Sequence, residues 1–245
     1  MAKVNESAEN ELPETEKRQP LFNVPGIISV FAALIIAIHF VREYLLPGEW
    51  DNQLLYLLAF FPASYGALTA SAPFPWSGLW SPVTHSLLHG SWLHVIMNLI
   101  WMAAFGSPMA KRFGTLRFII LTIICSCGGA LLHYLTAENP YIPIIGASGA
   151  IAGYMGAASR FIFNSPSGRM QFRENAPALS LVQCFLNKQF LLFFGLWMGM
   201  NYLFGAGFID FTGQGNSIAW QAHIGGFLAG LLIFDLLERP RIRTH

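Results

Sequence analysis

The chain has 245 residues, 54% of them hydrophobic and only 11% charged, with a formal net charge of +1. That balance is foreign to a soluble globule, and the apolar residues arrive in blocks close to the twenty or so that cross a bilayer as a helix. No basic stripe is interleaved with aromatics, which argues against nucleic acid as a partner.

In chain order, residues 1–24 contain Glu6, Glu9, Glu11, Glu14 and Glu16 and read as a disordered tail. They lack the cationic start of a secretory signal. Six apolar segments follow at roughly 26–46, 85–106, 114–136, 144–163, 189–207 and 217–237, predicting an all-α bundle of six transmembrane helices over residues 25–238. Between the first two, "LLYLLAFFPASYGAL" is short and interrupted by Pro62, so it is expected to dip into the membrane surface as part of a long connection. "FPWSGLW" belongs to the same interfacial structure, and residues 239–245 form a basic tail.

Basic residues set the orientation, because loops kept in the cytoplasm carry the excess of Lys and Arg. Lys3, Lys17 and Arg18 precede the first segment; Lys111, Arg112 and Arg117 lie between the second and third; Arg160, Arg169, Arg173 and Lys188 surround the link from fourth to fifth; Arg239, Arg241 and Arg243 close the chain. The alternate loops carry none, so both termini are predicted to be cytoplasmic, in a multi-pass protein of the cell (inner) membrane. Arg42 alone falls on the opposite side, where a long side chain reaches the headgroups. Cys125, Cys127 and Cys184 are expected to be free thiols within a helix or on the reducing side.

Polar groups inside hydrocarbon are costly, about 2.5–3.5 kcal/mol for a charge at a helix centre, so each needs a partner or a task. Four positions stand out. His94 and Asn98, in "HVIMN", are four apart and share one helix face. They either glue helices together or present two donors to one point. Ser148, in "IIGASGAIAGYMG", follows Gly146 and opens a helix-competent run, so it is either a plain cap or a hydroxyl beside unpartnered backbone N–H groups that would welcome an anion. His223 lies in "AHIGGFLAGLL", where Ala222, Gly226 and Gly230 form a small-residue stripe; Gly149, Gly153 and Gly156 form another. Two such stripes face to face would bring an imidazole against the Ser148 hydroxyl, within reach for general-base catalysis.

In this order the motifs resemble those of the rhomboid intramembrane serine proteases, of the bacterial six-helix type: His94 to Asn98; Gly146, Ser148 and Gly149; Ala222, His223, Gly226 and Gly230. "AFGSPMAKRFG", Ala104 to Gly114, is similar to that family's connection between its second and third helices. The likeness runs over roughly residues 26–238 and implies a Ser148 nucleophile with His223 as general base, without an acidic third member. It further implies an oxyanion site from His94, Asn98 and the Ser148 backbone N–H beside Gly146, and close helix packing at Gly149, Gly153, Gly226 and Gly230. Expected partners are the lipid bilayer and single-pass or polytopic membrane-protein substrates entering laterally, with the fifth segment and its Gly195, Gly199 and Gly205 as a moving gate. No cofactor or metal is expected, and nothing in the sequence bears on oligomeric state.

Two departures accompany the likeness. Many relatives carry an aromatic residue four positions after the nucleophile, stacked on the histidine; this chain has Ala152 there, leaving Tyr154, Trp220 or another aromatic to support His223. Relatives often have a tryptophan–arginine pair in the first connection, where this chain has Trp80 and Ser81, so altered lipid dependence is expected. Three other readings compete: a catalytically silent rhomboid-like protein that binds membrane helices, a proton-relay transporter, and a metalloprotease using His85, His89 and His94. The last lacks the zincin glutamate, since Ser86 follows His85. His85 and His89 are read instead as interfacial residues of a water-accessible pocket.

Overall fold

The computed structural model describes residues 24–65, 74–164, 175–205 and 219–238. The two tails, and with them Lys3, Lys17, Arg18, Arg239, Arg241 and Arg243 of the charges that set the predicted orientation, lie outside the described residues. So do Arg169 and Arg173. The described chain is helical without a regular strand: α1 Gly26–Tyr44, α2 Gly48–Leu58, α3 Ser81–Thr84, α4 Trp92–Trp101, α5 Ser107–Phe113, α6 Thr115–Thr136, α7 Ser148–Ile162, α8 Leu181–Leu186, α9 Lys188–Gly205 and α10 Trp220–Leu237. Among the described residues, four stretches are long and apolar enough to cross a membrane: Gly26–Tyr44, Trp92–Phe113, Thr115–Thr136 and Trp220–Leu237. The predicted fourth and fifth segments correspond to α7, with 15 residues, and α9, with 18.

The second predicted segment starts too early. Residues 85–91 form a short turn and an extended piece, and α4 begins only at Trp92, because the Ser91 hydroxyl accepts a hydrogen bond from the His94 N–H and caps the helix there. The stretch expected to be a connection, Ala104 to Gly114, is instead helical. A π-helical turn over Met102–Gly106 passes directly into α5, and only Gly114, at φ 76°, separates α5 from α6.

Packing centres on α10, which lies against both α6 and α7. Glycine is required at this seam, since a Cβ on Gly226 would overlap the Gly149 carbonyl and one on Gly230 would overlap the Gly153 carbonyl. Almost every residue of α7 is buried. On the far side of α10, Gly225 makes a similar approach to Gly128 of α6. Toward the other end of the seam, Arg160 is not the loop cation that its position suggested. It is buried in the last turn of α7, where its guanidinium donates to both Asp235 carboxylate oxygens at 2.8 and 2.9 Å and to the Leu179 and Leu231 carbonyls.

The described residues of the long first connection fold into α2, 3₁₀ turns at Pro62–Ser64, Pro75–Leu79 and His85–Leu87, and α3. Trp50, Trp76 and Leu79 project from it, fully three-quarters exposed in the case of Trp76 at 75%. Its attachment differs from expectation at Arg42. The Arg42 side chain does not extend to headgroups: only 9% exposed, it forms an ion pair with Asp51 of α2 at 2.6 Å and donates to the His89 carbonyl at 2.9 Å. Ser81 is fully buried, and Trp80 donates its indole N–H to the Leu57 carbonyl. The connection is thus braced from within the protein.

Candidate active site

The loop before α7 is held on three sides. Phe60 and Ile144 exchange backbone hydrogen bonds of 3.2 and 3.0 Å, the only β-bridge among the described residues. The Gly146 N–H donates to the His85 carbonyl at 2.9 Å, and the Ala147 N–H points at His89 Nε2 at 3.5 Å. The first connection therefore fixes the backbone that presents Ser148. Gly146 itself sits at φ 115°, in the region that side chains disfavour, and a Cβ there would come within 2.7 Å of His94 Nε2. The His94 imidazole is thereby seated against the loop one residue before the turn that launches Ser148.

Ser148 is the first residue of α7, so its backbone N–H and those of the next residues lack carbonyl partners four residues back. Across the glycine seam, His223 Nε2 stands 2.8 Å from Ser148 Oγ. On the opposite edge of the imidazole, His223 Nδ1 stands 2.6 Å from Asn201 Oδ1 of α9. The Asn201 amide also donates through Nδ2 to the Trp197 carbonyl at 2.8 Å. None of the aromatics considered as a support for His223 takes that place. Tyr154 instead bonds Thr122 through its hydroxyl at 2.8 Å and packs on Phe118, while Trp220 lies against Gly205.

Of the remaining sequence-predicted residues, Asn98 is buried on the same face of α4 as His94, and its Nδ2 donates to the His94 carbonyl at 2.9 Å. Gly149, Gly153, Gly226 and Gly230 lie in the α7–α10 seam; Gly195 and Gly199 do not pack, and a Cβ on either would meet nothing within 4 Å. His85 and His89 are buried rather than interfacial. His89 packs edge-on to His94 with ring centroids 4.8 Å apart, whereas His85 turns to Phe60, so the three histidines do not form a group that could hold a metal ion. Burial pushes the His85 imidazole down to about 4, and burial followed by the nearby His94 ring pushes His89 down to about 3. Both stay neutral at ordinary pH.

Among the polar residues inside apolar segments that sequence reasoning missed, two stand out. Asn201 stands in "WMGMNYLFG" and His39 in "IIAIHFV"; both are buried, and His39 meets Trp92 edge-on at 4.7 Å. The rule that singled out His94 and His223, that a polar group in hydrocarbon has a partner or a task, applies equally to them.

Apolar helices characterise a multi-pass membrane protein, and between two of them a hydroxyl–imidazole pair stands beside a helix start with unpartnered backbone N–H groups. Residues 76–239 match the Rhomboid domain family, and the chain belongs to that family. It is 29% identical over 166 residues to the protein named Rhomboid protease GlpG of Yersinia pestis (strain Pestoides F), an alignment covering 68% of this chain and 51% of that protein. It is 28% identical over 155 residues to the Rhomboid protease GlpG of Serratia proteamaculans (strain 568), covering 63% and 47%. The chain spans about half the length of these relatives.

Proposed function

We propose that the protein is an intramembrane serine endopeptidase that cleaves transmembrane segments of membrane-protein substrates. The observation that carries this reading is the 2.8 Å approach of His223 Nε2 to Ser148 Oγ inside a helical bundle of the rhomboid family. The Ser148 oxygen attacks the scissile carbonyl carbon while Nε2 takes its proton, giving a tetrahedral oxyanion and an imidazolium. The oxyanion is held by the Ser148 backbone N–H together with donors from His94 and Asn98. The imidazolium returns the proton to the leaving amine nitrogen as the C–N bond breaks, leaving an ester on Ser148. Water, deprotonated by the same Nε2, then attacks the ester carbon; the bond to Ser148 Oγ breaks as the imidazolium returns the proton to that oxygen, releasing the new carboxyl end.

Several features favour this division of labour. His94 is seated against the Gly146 turn next to Ser148, and Asn98 is fixed on the same face of α4 by its bond to the His94 carbonyl, which leaves its second amide hydrogen for a ligand. Ser148 lies at the end of α7 beneath the first connection, which under the positive-inside assignment faces the extracytoplasmic side and supplies water from there. The termini are then cytoplasmic, in the cell (inner) membrane. Substrate helices enter laterally past α9, whose buried residues are only Phe190 and Asn201. Reconstitution in liposomes with a model membrane-protein substrate tests the reading. The wild type cuts it, and Ser148→Ala and His223→Ala each lower turnover by on the order of 10⁶-fold, the scale of such losses in soluble serine proteases. Cleavage by Ser148→Ala at the wild-type rate would contradict it.

A further inference from the structure

The imidazole of His223 can take a proton from Ser148 only in one neutral tautomer, with hydrogen on Nδ1 and a lone pair on Nε2. The wrong tautomer is inert, so something must choose. In this chain the aromatic stacking position is Ala152, and a methyl group cannot select a tautomer. The choice falls to Asn201, and its chemistry can be followed atom by atom. The Trp197 carbonyl, 2.8 Å from the Asn201 amide, is an acceptor only, so the amide must turn its NH₂ group toward it. The amide oxygen then faces His223 Nδ1 at 2.6 Å, and since that oxygen too is an acceptor only, Nδ1 must carry the hydrogen. Nε2 is left with its lone pair directed at the Ser148 hydroxyl 2.8 Å away.

We propose, resting on the proteolytic reading above, that Asn201 is a positioning residue: its backbone-locked amide holds His223 as the Nδ1–H tautomer and aims Nε2 at Ser148. The site thus has a neutral third member, supplied by α9 rather than by either helix of the seam. Burial makes the contact consequential. Asn201 is one of only two buried residues on α9, and it sits where water competes poorly for Nδ1. An amide suits this place better than a carboxylate would in a membrane interior, because it accepts the same proton without burying a charge.

The test uses the full chain in detergent micelles or liposomes, with wild type, Asn201→Leu, Asn201→Asp and Ser148→Ala compared. Asn201→Leu is expected to lower kcat about 10²-fold, within the range that general-base assistance is worth, while KM stays within about twofold and the melting temperature stays near that of the wild type. Asn201→Asp restores most of the lost kcat, since a carboxylate oxygen accepts the same N–H. Nitrogen-15 spectra of labelled histidine, read without substrate, give a second answer: His223 is Nδ1-protonated in the wild type and in Ser148→Ala, and shifts toward the Nε2–H form in Asn201→Leu. An unchanged kcat in Asn201→Leu, a joint fall of kcat, substrate affinity and melting temperature without rescue by aspartate, or an unchanged tautomer each overturns the role of Asn201. Full activity of Ser148→Ala would instead overturn the proteolytic reading, and the spectra would still decide the tautomer claim.

Discussion

The seam between α7 and α10 and the helix α9 meet at the same imidazole but are built on opposite plans. Along the seam, Gly226 and Gly230 rest on the carbonyls of Gly149 and Gly153 with no side chain between, and nearly all of α7 is buried. Along α9, Gly195 and Gly199 look into open space, and Leu192, Leu196 and Tyr202 are exposed. Close-packed backbones cannot shift by an ångström without overlap or void, whereas a helix with few buried side chains is cheap to move. The seam therefore fixes how far His223 is from Ser148, and α9 governs only how the imidazole is turned. Distance belongs to the rigid part of the molecule and orientation to the loose part.

The strongest way to break this contrast is Gly226→Leu. A leucine there must force α10 from α7, so turnover is expected to vanish and the melting temperature to fall by more than the 1–3 kcal/mol of ordinary overpacking implies, as thermal unfolding in detergent would register. Retained stability and activity would mean the seam is softer than described. Asn98→Ala tests the neighbouring helix α4: on the proposed mechanism it removes one oxyanion donor, and kcat is expected to fall about 10²–10³-fold with little change in melting temperature. A smaller loss, or one confined to KM, would remove Asn98 from the oxyanion site.

The connection that braces the Ser148 loop offers a test by pH. His85 and His89 fall from the ordinary 6.5 to about 4 and about 3, so the unfolded chain binds more protons than the folded one below about 6.5. Stability rises with pH across that window and is lost as pH falls through it. A melting temperature that declines between pH 6.5 and 4 in the wild type, and less steeply in His89→Gln, is expected. The smallest effect is assigned to Gly199→Leu on the open face of α9, whose stability in a melting curve is expected to stay within about 0.5–1 kcal/mol of the wild type. A large loss there would show that α9 packs more tightly than the seam comparison allows.

Much of the architecture could be read from apolar blocks, because hydrocarbon length and composition are local properties of the chain. Boundaries were less legible. The start of α4 depends on a cap at Ser91, and the helical passage from Met102 to Phe113 depends on how that segment packs, neither of which apolar block length reports. Among site residues, Ser148 and His223 stood out as polar groups in hydrocarbon, and the glycine stripes supplied the means to join them. Asn201 obeys the same rule, but its role is not legible in the sequence because nothing in the spacing of α9 and α10 tells which residue of α9 meets the His223 imidazole. The inward turn of Arg42 toward Asp51 and the burial of His85 and His89 were not legible, since each depends on how the first connection folds back over the loop before α7.

The most direct measurement of the central claim, that His223 activates Ser148, is peptide mapping by mass spectrometry after treating the intact membrane-embedded protein with a fluorophosphonate. The adduct is expected on Ser148 in the wild type and absent from His223→Ala. An adduct on another residue, or equal labelling of Ser148 when His223 is replaced, would contradict it.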